Sequence, residues 1–190
     1  MRTPLASYIF FCLATASSIA GETSASKPQQ KTLTFFVSVT ECPSCAYMVG
    51  SSINAVKGVS DVDVHQGTES QVFVTFDPKA VTVHQIAQSV ADAIGLHGKP
   101  YEAALKLRIP DYMKQGNAAR VDAVFAKNKQ WIDVETVDRP TGEFIIRFRP
   151  LKLDAAKKGP QGWDLATLEA GLREIADRGT VLEFEFDQGG

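Results

Sequence analysis

Residues 34–56 read TFFVSVTECPSCAYMVGSSINAV, and the fold turns on how that stretch divides. Its first part, Leu33 to Val39 when the preceding residue is included, is rich in Val, Phe and Thr, as a strand is. From Cys45 the period changes, because Cys45, Met48, Val49, Ile53 and Val56 fall at helical spacing on one face. Cys42 and Cys45 therefore stand at a strand-to-helix junction, at the surface and near a helix N-terminus. Oriented N–H groups there favour the thiolate over the thiol. A thiolate is both a metal ligand and a redox nucleophile.

Working outward, Gly58 is the expected helix stop, Val59 to Val64 alternates imperfectly, and Gly67 marks a turn. Val72, Val74 and Phe76 alternate cleanly as a third strand that Pro78 ends. Val83, Ile86, Ala87, Val90 and Ile94 form a second amphipathic helix closed by Gly95, and Tyr101 to Ile109 reads as another strand. The order is strand, helix, strand, strand, helix, strand, and it recurs. A shift of 72 positions puts Phe76 on Phe148, Pro78 on Pro150, Val72 and Val74 on Phe144 and Ile146, Val59 on Trp131, Val49 on Val121 and Ile53 on Phe125. A further ten-residue insertion around Asp154 to Gln161 aligns Ile86, Val90 and Ile94 with Leu168, Leu172 and Ala176, and Val181 to Phe186 is expected to be the last strand. The same shift carries Cys42 to Lys114 and Cys45 to Asn117, so the second unit lacks thiols. One strand over Tyr101 to Ile109 is expected to serve both units.

Laid out this way, Thr32 to about Leu105 resembles the heavy-metal-associated domain of copper chaperones, metal-transporting ATPases and periplasmic mercury-binding proteins. The resemblance rests on Cys42, Cys45, Val49, Ile53, Gly58-Val59, Val72 to Phe76 and Tyr101. It implies a ferredoxin-like fold for that unit, two helices on one face of a four-stranded antiparallel sheet, and with the repeat, whose second copy is diverged, an α+β chain of two tandem ferredoxin-like βαββαβ units. It also implies a soft metal on Cys42 and Cys45, Cu(I) first, with Hg(II) or Zn(II) behind it. Where family members carry Met-Thr before the first cysteine, this chain has Thr40 and Glu41.

Soft thiolates prefer soft cations, and two sulfurs at this spacing can approach one ion from opposite sides. Zinc usually wants four ligands, so Glu41, His97, a partner or water would have to complete its set. His97 and Lys99 lie in the loop after the second helix and are read as solvated. Met48 is read as packing, and Trp131, Trp163, Phe144, Phe148, Phe184 and Phe186 as the core of the second unit. His65 and His84 belong to no constellation. Cys-Pro-Ser-Cys also suits a thiol-disulfide oxidoreductase, and the departures at Thr40 and Glu41 suit an interaction module with a decayed metal site. A structural staple is the weakest reading, since a disulfide closing so small a loop adds little to stability.

The chain-wide features bound the rest. Its 190 residues, 44% hydrophobic and 22% charged with a net charge of -2, are ordinary for a folded protein and lack the basic stripe that would suggest nucleic acid. Residues 1–20 read as a signal peptide, with Arg2, an apolar run from Leu5 to Ala14 that contains Cys12, and cleavage after Ala20. The mature protein is then expected to be secreted or periplasmic, without a membrane span. Residues 21–31 read as a flexible leader, 32–104 as the heavy-metal-associated-like domain and 105–190 as the second unit. The expected partners are a metal ion and a metal-donor or acceptor protein. No nucleophile-base pair, phosphate loop or carboxylate cluster indicates an enzyme.

Overall fold

The computed structural model describes residues 30–38, 42–67, 69–114, 116–177 and 180–188. Residues 1–20, where a signal peptide is expected, most of the expected leader, Thr40 and Glu41 lie outside the described residues. The chain runs β1 (Lys31–Ser38), α1 (Pro43–Asn54), β2 (Val59–His65), β3 (Ser70–Phe76), α2 (Val83–Asp92) and β4 (Glu102–Arg108). It continues through α3 (Asn117–Asn128), β5 (Ile132–Asp138), β6 (Glu143–Phe148), α4 (Leu165–Arg173), β7 (Ala176–Asp177), β8 (Thr180–Val181) and β9 (Glu185–Phe186). This is α+β architecture, in which β2-β3-β1-β4 and β5-β6-β4-β9 are two ferredoxin-like antiparallel sheets.

The two sheets are one sheet because β4 belongs to both. On one edge it pairs with β6 from Ala104 to Arg108. On the other it pairs first with β1, at Glu102 to Ala104, and then with β9, at Leu107 and Arg108. β4 thus closes the first unit and opens the second. The repeat is visible in the registers: Leu33 faces Val74 as Leu105 faces Ile146, and Phe35 faces Val72 as Leu107 faces Phe144. The outer hairpins repeat as well, with Val62 against Val74 and Val134 against Ile146. Each of these pairs is related to its counterpart by the same 72 positions.

Alternation along the strands sends Leu33, Phe35, Val37, Val72, Val74, Ala103, Leu105, Leu107, Phe144 and Ile146 to the face covered by helices. Val49 and Ile53 of α1, Ile86 and Val90 of α2, Val121 and Phe125 of α3, and Leu168 and Leu172 of α4 join them in a single core. The aligned pairs Val49/Val121, Ile86/Leu168 and Val90/Leu172 are all buried. The opposite face of the sheet carries ion pairs, including Lys106–Glu69, Arg147–Glu135 and Arg149–Asp133.

Three expectations are corrected. α2 ends at Asp92, since Ala93 turns extended (ψ 143°), and Ile94 is exposed rather than part of the apolar stripe. Its aligned partner Ala176 likewise leaves the helix and enters β7. The expected last strand over Val181 to Phe186 is divided: β8 pairs with β7 in a separate small sheet, and only β9 reaches β4. The chain between them is directed instead by Leu182, which buries its side chain and donates its N–H to the Ile175 carbonyl.

Gly142, in the turn between β5 and β6, has a left-handed φ of +68°, and a Cβ there would lie 2.0 Å from the Ile109 carbonyl oxygen. That carbonyl cannot retreat freely, because the Ile109 N–H donates to the Gly142 carbonyl at 2.8 Å. Gly142→Ala is expected to destabilise the protein by about 3 kcal/mol in urea unfolding. Gly116→Ala, also at positive φ but with open space around it, is expected to cost only about 1 kcal/mol.

Candidate metal centre

The cysteines are positioned by the first turn of α1. Cys42 is the N-cap, with extended backbone, and its Sγ accepts the Cys45 N–H at 3.1 Å. Its carbonyl accepts from the N–H groups of Cys45 (2.9 Å) and Ala46 (3.1 Å), and Pro43 occupies the first helical turn where its missing N–H costs nothing. The sulfur thus does the work that a serine or aspartate oxygen does at other N-caps. Cys42 is partly buried, whereas Cys45, expected at the surface, is fully buried, because its helical spacing puts it with Val49 and Ile53 on the core side of α1. Here the two are joined as a disulfide, with their Cα atoms 5.1 Å apart.

His97 arrives from the other end of the first unit. Past α2 the chain makes a tight turn in which the Gly98 N–H donates to the Gly95 carbonyl at 3.5 Å. A Cβ on Gly95 would lie 2.3 Å from the Lys99 carbonyl oxygen, so the turn needs glycine there for close approach rather than for φ. The buried Tyr101 supports the turn by accepting the Leu96 N–H on its hydroxyl at 3.5 Å. The outcome is that one ligand atom each from Cys42, Cys45 and the exposed His97 lie within 4.8 Å of one another. Among the described residues this is the group of His, Cys and acidic side chains with such spacing.

His97 is exposed, as expected of a solvated loop residue, and it also lies beside the sulfurs, the place that the alternative reading as a ligand requires. The signal available in the sequence is its position in the loop that, in the resembled fold, approaches the cysteines. Lys99 is exposed. Met48 packs against the core, as do Trp131, Phe148, Phe184 and Phe186, while Phe144 and Trp163 lie within it. His65 pairs with Asp63 on the exposed β2 edge. His84 is buried away from the cysteines, in the packing between the two units.

At the matching place in the second unit, the chemistry is replaced by structure. Lys114 pairs with the Asp111 carboxylate at 2.7 Å, and the Asn117 side-chain amide donates to the Asp111 carbonyl at 3.0 Å. These contacts close the start of α3 without sulfur.

As a disulfide, the pair offers no thiolate. Two-electron reduction would free two soft sulfur donors, one of them accepting an N–H bond at the positive end of a helix, with an imidazole alongside. Such a set, two sulfurs and one nitrogen, suits a soft ion of low coordination number better than zinc, which usually takes four ligands.

The family profile described as "Heavy-metal-associated domain" matches residues 34–95. Among solved structures, oxidized MerP from Ralstonia metallidurans CH34 is 34% identical over 39% of this chain and 96% of that one, with a TM-score of 0.33. The water-soluble region of the P-type ATPase CopA from Bacillus subtilis is 19% identical, over 65% of this chain and 79% of that one, with a TM-score of 0.36. The N-terminal soluble domains of Bacillus subtilis CopA are 15% identical, over 86% and 96% respectively, with a TM-score of 0.35. No curated protein matches the chain.

Proposed function

Because the chain belongs to the heavy-metal-associated family through residues 34–95, we propose that it is an exported protein binding a soft metal ion through reduced Cys42 and Cys45. The cargo is Cu(I) in the first place and Hg(II) in the second, and the protein acts as a chaperone or scavenger. His97 is the third donor. The observation that carries this reading is the convergence of the three ligand atoms from the start of α1 and the loop after α2. Metal is handed on by thiolate exchange with a donor or acceptor protein, for which the partly exposed Cys42 is the accessible sulfur. Export rests on the character of residues 1–20; no helix among the described residues is long and apolar enough to cross a membrane. The second unit supports the first through β4 and contributes no ligand.

The test is an anaerobic titration of reduced residues 21–190 with Cu(I) and Hg(II) against a competing chelator, beside the oxidised protein. Tight one-to-one binding by the reduced form alone is expected. His97→Ala should weaken it about tenfold, equivalent to ~1.4 kcal/mol. Equal binding by reduced and oxidised protein would overturn the proposal.

The disulfide favours one second reading, a thiol-disulfide oxidoreductase using the same pair. That reading requires catalytic turnover of a disulfide substrate without metal. The zinc alternative needs a fourth donor from solvent or a partner beyond the three gathered here.

A further inference from the structure

Helix α2 is buried on two sides. Ile86, Ala87 and Val90 lie in the core, while Thr82, His84, Gln85 and Gln88 meet the second unit. The Thr82 hydroxyl donates to the Gln161 carbonyl at 2.6 Å, the Gln161 N–H to Gln85 Oε1 at 2.9 Å, and the Leu151 N–H to Gln88 Oε1 at 2.6 Å. These contacts bind segment 149–163, which contains the insertion, to the first half of α2 and its N-cap.

At their centre is His84, with 0% exposure. Its Nε2 lies 2.7 Å from the Arg149 carbonyl oxygen, and a carbonyl only accepts, so Nε2 carries the proton. Nδ1 is therefore the bare acceptor, and it receives the Trp163 N–H at 3.2 Å. Neither partner can change role. The rings of Trp131 and Phe148 stand 5.9 and 5.7 Å from the imidazole, and at Gly162 even a Cβ would lie 3.0 Å from Nδ1. We propose that His84 is an acid-labile latch: a proton taken from solvent onto Nδ1 breaks the Trp163 N–H bond and releases segment 149–163 from α2.

The surrounding charges do not offset that proton. The Arg149 guanidinium is held by Asp133, the Asp164 carboxylate accepts the Ala166 N–H at the start of α4, and that of Asp154 accepts the Ala156 N–H. Lys152 is exposed, and Asp92, on α2 itself, is engaged by Gln88. Burial holds the His84 pKa below its ordinary 6.5, and the hydrogen bond to the Arg149 carbonyl opposes this less strongly. The closed latch therefore binds fewer protons than the open one. Its contribution is complete above pH 6.5 and is lost as the pH falls from there through the lowered value of the closed state. The inference does not depend on metal binding.

The experiment is an NMR titration of residues 21–190 from about pH 7.5 to about pH 4, a range that brackets the ordinary histidine pKa, following the His84 ring nitrogens and the exchange protection of individual amides. The neutral Nε2–H form is expected at the start. Protection of the Trp163 amide should fall at least about tenfold with the same midpoint as His84 protonation, while the amides of β1 and β3 keep theirs. In His84→Gln, the Trp163 protection should lose this pH dependence. Protonation of His84 without change at Trp163, loss of β1 and β3 protection at the same pH, or an unchanged transition in His84→Gln would each overturn the latch. If His84→Gln does not fold, the coincidence of the two midpoints in the unaltered protein decides.

Discussion

Cys42→Ser/Cys45→Ser is expected to lower the affinity of the reduced protein for Cu(I) by at least about a thousandfold, which corresponds to ~4 kcal/mol. The loss follows from replacing soft sulfur by hard oxygen at both positions, leaving His97 as a lone exposed donor. The fold should tolerate the change. Serine is a preferred N-cap, so at position 42 its hydroxyl can take over the bond from the Cys45 N–H. At the buried position 45 the added hydroxyl costs about 1–3 kcal/mol if it finds no partner. Loss of the disulfide adds little, because the loop it closes is small. Chelator competition measures the affinity, and circular dichroism checks that the variant is folded. A folded double variant with unchanged affinity would refute the metal site outright.

Leu105→Ala should destabilise the whole chain by about 2–5 kcal/mol, the range for emptying a buried leucine site. Leu105 is 1% exposed and lies in β4, opposite Ile146 of β6. Because β4 pairs with β1 as well as with β6 and β9, the loss should reach both units at once. Both tryptophans, Trp131 and Trp163, lie in the second unit, so their fluorescence reports that unit. Exchange of β1 and β3 amides reports the first. Coincident urea transitions, shifted together by the substitution, are expected. Separate transitions would show that the shared strand does not couple the units.

The α+β alternation, the 72-residue repeat and the cysteine pair are all legible in the chain, for one physical reason. Each depends on local periodicity: Val72, Val74 and Phe76 alternate because neighbouring side chains of a strand face opposite ways, and Val49 and Ile53 recur because a helix turns about every 3.6 residues. Since the second unit repeats these periods, its register can be anticipated pair by pair. The pattern overruns where an apolar residue continues it by accident, as at Ile94. It fails again at Val181, where the chain between helix and last strand is held by backbone bonds that leave no mark on composition.

The neighbours of each residue outside its own element are a different matter. Resemblance places the loop of His97 near the cysteines, but the closeness of its imidazole to Cys42 and Cys45 is made by the turn over Gly95 and the hydroxyl of Tyr101. His84, Gln85 and Gln88 look like the wet side of an amphipathic helix, and only the return of segment 149–163 makes them an interior. Local order along the chain is thus enough for the elements, their repetition and the soft-donor chemistry of one junction, since these follow from side-chain period and type. The sharing of one strand by both units is likewise anticipated by the repeat, whereas the approach of His97 to the sulfurs and the burial of a neutral histidine arise only on folding, since they depend on contacts between residues far apart in the chain.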